Sequence, residues 1–242
     1  MTTPPMGYVS VVFLSLLETI ISLVETLESR KLVLPNEVQA SQPENGLSTS
    51  IAALSVFLLE SAINRTWYIR TNDLRHAIPE DTSRQPSQEP PADMPLPPRS
   101  AFLYFRETST DKSLVSDVEE LFALRDVIAH NHLWEADVEW DQSGNLRFAS
   151  PPRLIEGFGN RRLRKVMHAP TRQTHRLKLN LFPSRIWRRD AYETFKKVVQ
   201  ALLSLEQMDR RYVYVSQQSF LFQGQIRGLN EVLSSVPTIE VA

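Results

Sequence analysis

The side chains of this chain best placed to do chemistry together lie in Leu124-Arg125-Asp126-Val127-Ile128-Ala129-His130-Asn131-His132. At helical spacing Asp126 and His130 are an i, i+4 pair on one face. A carboxylate there can accept the Nδ1 proton of the imidazole, fix its tautomer and leave Nε2 to move a proton. Arg125 adds a cation that stays charged. His132, seven residues further on, returns nearly to the arginine's face. Imidazole can remove the proton of a ribose 2′-hydroxyl, and guanidinium can stabilise the phosphorane-like transition state that follows. The set suits phosphodiester cleavage by a neighbouring hydroxyl, which needs no metal.

These residues end a predicted helix from about Ser113 to Asn131, in which Leu114, Val118, Leu121, Phe122, Ile128 and Ala129 keep helical spacing. Arg125 falls on that apolar stripe, where a cation is costly unless it is paired or opens onto a site. Glu60 is the natural partner. It is an acid among Val56, Phe57, Ile63 and Trp67 in a helix predicted over about Ile51 to Ile69, with Ser48 or Ser50 as its cap. Two further helices are predicted, one from about Gly7 to Arg30 and one from about Asp190 to Met208. Asp190 and Glu193 have capping-box spacing. The tail holds a β-prone patch, Tyr212 to Val215, and a short helix at Ile226 to Leu233.

Between these helices lie two insertions. Pro79 to Pro98 contains seven prolines among polar residues, a composition that cannot bury a core, so 78–100 reads as a flexible insertion. Ala136 to Trp140 alternates, Asp141 to Asn145 is a turn signal, and Leu146 to Phe148 alternates again, which predicts a β-hairpin. With the basic stretch that follows, it forms a second insertion over 136–187. Arg147 to Arg189 holds 12 Lys/Arg against one acid, Glu156, for +11, and leaves −12 on the rest. This segment either packs on the chain's own acidic helices or presents an electropositive surface to RNA, with Arg161, Arg162, Arg164 and Lys165 as the backbone-binding residues.

At 242 residues the chain accommodates a single domain over 1–242. With no cysteine there are no disulfides or thiolate metal sites, which suits a reducing, cytoplasmic setting. Met6 to Leu27 is apolar but lacks a basic leader and is interrupted by Glu18 and Glu25, so no membrane partner is expected. Ser15, Glu18, Ser22, Glu25 and Ser29 form one narrow polar stripe, and so apolar a helix calls for burial in a bundle or against a second copy, a homodimer. A metal held by Asp126, His130 and His132 is disfavoured, because histidines two apart do not share a helical face. No metal and no cofactor is therefore expected. Trp134 and Trp140 either stack bases or build a small core beside the hairpin, and His168 and His175 read as solvated surface.

The run from Leu124 to His132 resembles the arginine, polar residue, short spacer and histidine signature of the HEPN superfamily. The loose pattern of arginine, spacer and histidine also fits Arg70 to His76 and Arg162 to His168; the apolar helix end and the acid directly after Arg125 single out this copy. The resemblance implies an antiparallel bundle of four to five helices, here with a small β-hairpin insertion and a proline-rich loop. It implies Arg125, Asp126 and His130 as the catalytic set; His132 and Glu60 stand beside them as auxiliary candidates on their own position in the sequence. Asp126 stands where asparagine is commoner, and His132 stands where one subgroup has tyrosine, so that subgroup's features do not carry over. Many such proteins are metal-independent ribonucleases of toxin–antitoxin and antiphage systems, whose two protomers line one cleft. The expectation is an endoribonuclease that cuts RNA by 2′-hydroxyl attack, with an antitoxin or defence-system protein as a further partner. The alternative is a non-catalytic dimer of the same fold that binds RNA, a nucleotide or a protein.

Overall fold

A helix that is apolar around much of its circumference must be surrounded, and α2 (Gln42–Asn72) is. Ile51, Val56, Leu58, Leu59 and Ile63 are fully buried, beneath α1 (Phe13–Glu28), α3 (Ala101–Thr108), α4 (Lys112–Ala129) and α6 (Arg188–Met208). The computed structural model describes residues 12–72, 101–130, 133–155, 161–208, 219–222 and 224–235. The proline-rich insertion, His132 and the patch from Tyr212 to Val215 lie outside them. Within them the protein is mainly helical, with short antiparallel strand pairs. A window of α2 is long and apolar enough to cross a bilayer, but 56% of it is buried inside the fold, as in a core helix.

The helix ends differ from expectation in instructive ways. α2 begins at Gln42, so Ser48 and Ser50 lie inside it and do not cap it. Tertiary bonds hold the extra turns: Asn45 Nδ2 donates to the carbonyls of Pro183 and Ile186 at 2.8 and 2.7 Å. Arg188 Nε donates to Glu44 at 2.9 Å. On α1 the stripe of Ser15, Glu18, Ser22, Glu25 and Ser29 is exposed, while Leu17, Ile20, Val24 and Leu27 are buried against α2. The chain's own α2 thus supplies much of the cover expected of a partner. α3 was not anticipated; at 8 residues it is too short to show a period, yet Phe102, Tyr104 and Phe105 are buried core.

The basic insertion is folded. It contains α5 (Arg161–Val166), the pair β5 (Met167–His168) and β6 (Gln173–Thr174), and a 3-10 turn at Pro183–Arg185. Before it, β1 (Trp134–Glu135) pairs with β4 (Arg153–Leu154), and β2 (Val138–Trp140) pairs with β3 (Leu146–Phe148) in the register Val138↔Phe148, Trp140↔Leu146. This is the expected hairpin. Its turn is closed by the Asp141 carboxylate, which accepts from the backbone N–H of Ser143 and Asn145 at 2.8 Å each, bonds that lower its pKa. Trp134 meets Phe182 edge-on at 6.0 Å, whereas Trp140 is 72% exposed and joins no core. After α6, β7 (Ser219–Phe222) pairs with β8 (Gln225–Gly228), which leads into α7 (Leu229–Ser235).

α6 starts at Arg188, so Asp190 lies in its first turn and is not its cap. Its carboxylate accepts from the Trp187 N–H at 3.1 Å, the Asn180 N–H at 3.0 Å and Asn180 Nδ2 at 2.9 Å, and burial raises its pKa. One side chain therefore joins the basic insertion to the last long helix. Asp190→Ala orphans two buried donors of Asn180 and the part-buried Trp187 N–H, and is expected to lower the unfolding free energy by about 3 kcal/mol in urea titration. A loss under about 1 kcal/mol would show that the insertion docks without this acid.

Candidate active site at the end of α4

α4 is capped by Asp111, whose carboxylate accepts from the N–H of Ser113 and Leu114 at 2.9 and 3.0 Å. The helix ends at Ala129, and His130 is its C-cap with φ −99° and ψ 6°, just outside the helical region. The backbone N–H of His130 still donates to the Asp126 carbonyl at 3.0 Å. His130 is exposed and Asp126 is buried. Sequence spacing thus brings the acid and the imidazole to adjacent turns.

Asp126 faces inward onto cations. Its Oδ2 accepts from Arg162 Nη1 at 3.1 Å, and its Oδ1 lies 3.5 Å from Arg125 Nε. The carboxylate ties α4 to α5, which is a larger task than orienting His130. Arg125 Nη2 is 3.5 Å from Glu60 Oε1, so the two residues singled out across α2 and α4 do meet. The acids are buried and the arginines half-buried, with side-chain exposures of 16% for Arg125 and 11% for Glu60. Burial raises the Glu60 pKa, and the Arg125 charge offsets part of that rise.

Aromatic faces hold both guanidiniums. Arg125 Cζ lies 5.3 Å from the Phe122 ring centre and 5.7 Å from that of Phe57. Arg162 Cζ lies 5.5 Å from Phe122 and 5.1 Å from Phe102. Such contacts favour a cation within about 6 Å of a ring. Phe122 was readable as a neighbour of Arg125, three residues away on the same helix. Arg162 and Phe102 were not, because they come from other elements. Despite these contacts, Arg125 donates no hydrogen bond among the described residues, and its buried Nε has no partner there. At 3.5 Å the contacts to Glu60 and Asp126 are charge–charge contacts, longer than a usual hydrogen bond. Among the described residues its donors make no hydrogen bond.

The four basic residues assigned to RNA divide into two pairs. Arg162 is half-buried on Asp126, and Lys165 Nζ donates to both Glu119 oxygens at 2.9 and 2.6 Å. Those two therefore meet acids of α4 in the fold, Arg162 half-buried and Lys165 exposed. Arg161 and Arg164 are exposed and have no partner among the described residues. The pattern extends along α4. Arg176 Nε donates to Asp117 at 2.7 Å, and Glu120 accepts from the backbone N–H of Arg176 and Leu177 at 2.8 Å each. Three cations of the basic segment, Arg162, Lys165 and Arg176, therefore pair with acids of α4. His168 and His175 stack edge-on at 5.7 Å, away from this cluster's contacts.

Comparison of the chain with protein-family models, with curated proteins and with solved structures finds no match in any of the three. What defines the site is its own geometry: a mainly helical protein with a partly buried Glu60–Arg125–Asp126–Arg162 charge chain and an exposed histidine at the helix end.

Proposed function

We propose that the protein is a metal-independent endoribonuclease of HEPN type, acting on RNA in the cytoplasm as a homodimer and partnered by an antitoxin or defence-system protein. One observation carries this reading. Arg125 is held by charge and ring contacts yet has all its hydrogen-bond donors unused among the described residues, one helical turn before the exposed His130. A guanidinium in that state is preorganised for an anion, and phosphate oxygens match its fork. His130 takes the 2′-hydroxyl proton, the 2′-oxygen bonds to phosphorus, and the bond to the 5′-oxygen breaks. Arg125 stabilises the charge that builds on the equatorial oxygens. His132 returns a proton to the leaving 5′-oxygen. The products are a 2′,3′-cyclic phosphate and a 5′-hydroxyl.

The test is incubation of purified protein with single-stranded RNA in EDTA, with end-group analysis of any fragments. Cleavage to cyclic phosphate ends supports the reading, and activity lost to EDTA refutes it. A second reading is favoured by the Arg125–Glu60 pair itself, since structural ion pairs also place an arginine in a core. On that reading the protein is a non-catalytic dimer that binds RNA, a nucleotide or a protein. Folded protein that leaves RNA intact would select it.

Binding along α5 has its own expected result. Arg161→Gln with Arg164→Gln removes two exposed cations that have no partner among the described residues and spares the Arg162 and Lys165 ion pairs. RNA affinity should fall and the salt slope should flatten by about 0.7 per lost phosphate contact on single strands. An unchanged slope in filter binding across salt concentrations would place the RNA elsewhere.

A further inference from the structure

A cleft of about 340 Å³ lies among the end of the β2–β3 hairpin, the turn at 170–173 and the 3-10 turn, and none of Glu60, Arg125, Asp126 or His130 lines it. Its charged walls are Arg172, Arg185 and Glu37. The Arg185 side chain makes no hydrogen bond or ion pair among the described residues, and its Nε is buried. A buried donor without an acceptor is costly, and native structures rarely leave one without a reason. Arg172 is held in an unusual way. Its φ is +55°, in the left-handed region that β-carbon-bearing residues avoid, and its Nε donates to the Pro152 carbonyl on the cleft wall. Its other guanidinium nitrogens have no partner among the described residues. Burial lowers its pKa, as expected of a cation with too few acceptors. Glu37 is exposed and pairs with neither arginine. Two under-satisfied guanidiniums therefore converge on a space that one acid does not neutralise.

The rest of the lining narrows the ligand. Asn180 is already engaged, since its Nδ2 bonds Asp190 and its Oδ1 accepts from Gln173 Nε2 at 3.3 Å. Phe148 and Phe182 meet edge to face at 5.4 Å and 79°, which leaves aromatic surface in the wall for a flat ring. The cleft's size falls within the ordinary range for small-molecule sites, about 300–1,000 Å³. We propose that this cleft binds a mononucleotide, with its phosphate between Arg172 and Arg185 and its base against Phe148 and Phe182. A phosphate dianion matches two guanidiniums in charge and in donor geometry, and base–aromatic stacking tolerates any base. The proposal does not rest on RNA cleavage, because it uses no residue of the α4 site.

The full chain is titrated by calorimetry with AMP, UMP, adenosine and inorganic phosphate, and Tm is followed in parallel. The nucleotides should bind with Kd of about 1 mM or below and raise Tm. Adenosine and phosphate should each bind at least about tenfold more weakly, one lacking the charge and the other the ring. Arg185→Gln should weaken AMP by at least about tenfold. Arg172→Gly should do the same with Tm held, because glycine adopts the left-handed backbone without strain. His130→Ala should bind AMP as the wild type does. Absence of AMP binding overturns the proposal, as does equal binding by Arg185→Gln and wild type. Loss of binding in His130→Ala alone would place the nucleotide in the α4 site and overturn it equally.

Discussion

His130→Ala is expected to slow RNA cleavage by about 10²–10⁴-fold, the usual contribution of a positioned general base. Tm should not change, because His130 is exposed at the C-cap and its backbone N–H bond to Asp126 survives truncation to alanine. The proposed mechanism uses the 2′-hydroxyl as nucleophile, so DNA of the same sequence should stay intact under the same conditions. Initial rates on a labelled single strand in EDTA, with light scattering to confirm an unchanged oligomeric state, make the measurement. Wild-type cleavage by the variant would remove the imidazole from the mechanism and with it the catalytic reading of α4.

Arg125→Met is expected to destabilise the fold by about 3–5 kcal/mol near neutral pH, because it leaves the Glu60 carboxylate buried without its cation. The loss should depend on pH in a definite direction. Burial raises the folded pKa of Glu60 above its ordinary 4.5, and Arg125 offsets part of that rise. A carboxyl whose folded pKa is raised binds its proton more tightly in the folded state. Stability is therefore fullest below the unfolded pKa and is lost as pH rises through the folded one. Removing Arg125 raises the folded pKa further, so the gap between variant and wild type should widen as pH rises from acid to neutral. Urea unfolding at both ends of that range tests it. A variant as stable as the wild type at every pH would mean that Glu60 does not need Arg125. The arginine would then be retained for a substrate rather than for the core.

Together these two variants separate the catalytic and structural roles of one helix end. His130 should change rate without stability. Arg125 should change both, since the guanidinium that neutralises Glu60 is also the one the proposed mechanism sets against the phosphate. Asp126 sits between them, tied to Arg125 on one oxygen and to Arg162 on the other.

What the sequence determined by itself were properties carried by local spacing. Leu114, Val118, Leu121 and Phe122 announce α4 because a period of 3.6 places them on one buried stripe. The polar stripe of α1 is exposed for the same reason, and the hairpin at Asp141 to Asn145 follows from turn chemistry within a few residues. The Glu60–Arg125 pair was legible because each is a charge on an apolar face, and two such anomalies in one core have few other partners. The tertiary structure decided the rest. α2 starts at Gln42 because Pro183 and Ile186, far along the chain, accept from Asn45. The basic segment reads as one electropositive run, yet Arg162, Lys165 and Arg176 are spent on Asp126, Glu119 and Asp117 of α4. Charge counted along a chain carries no information about what each charge meets. Which arginines remain for a ligand is set by long-range pairing, and only the folded protein contains that.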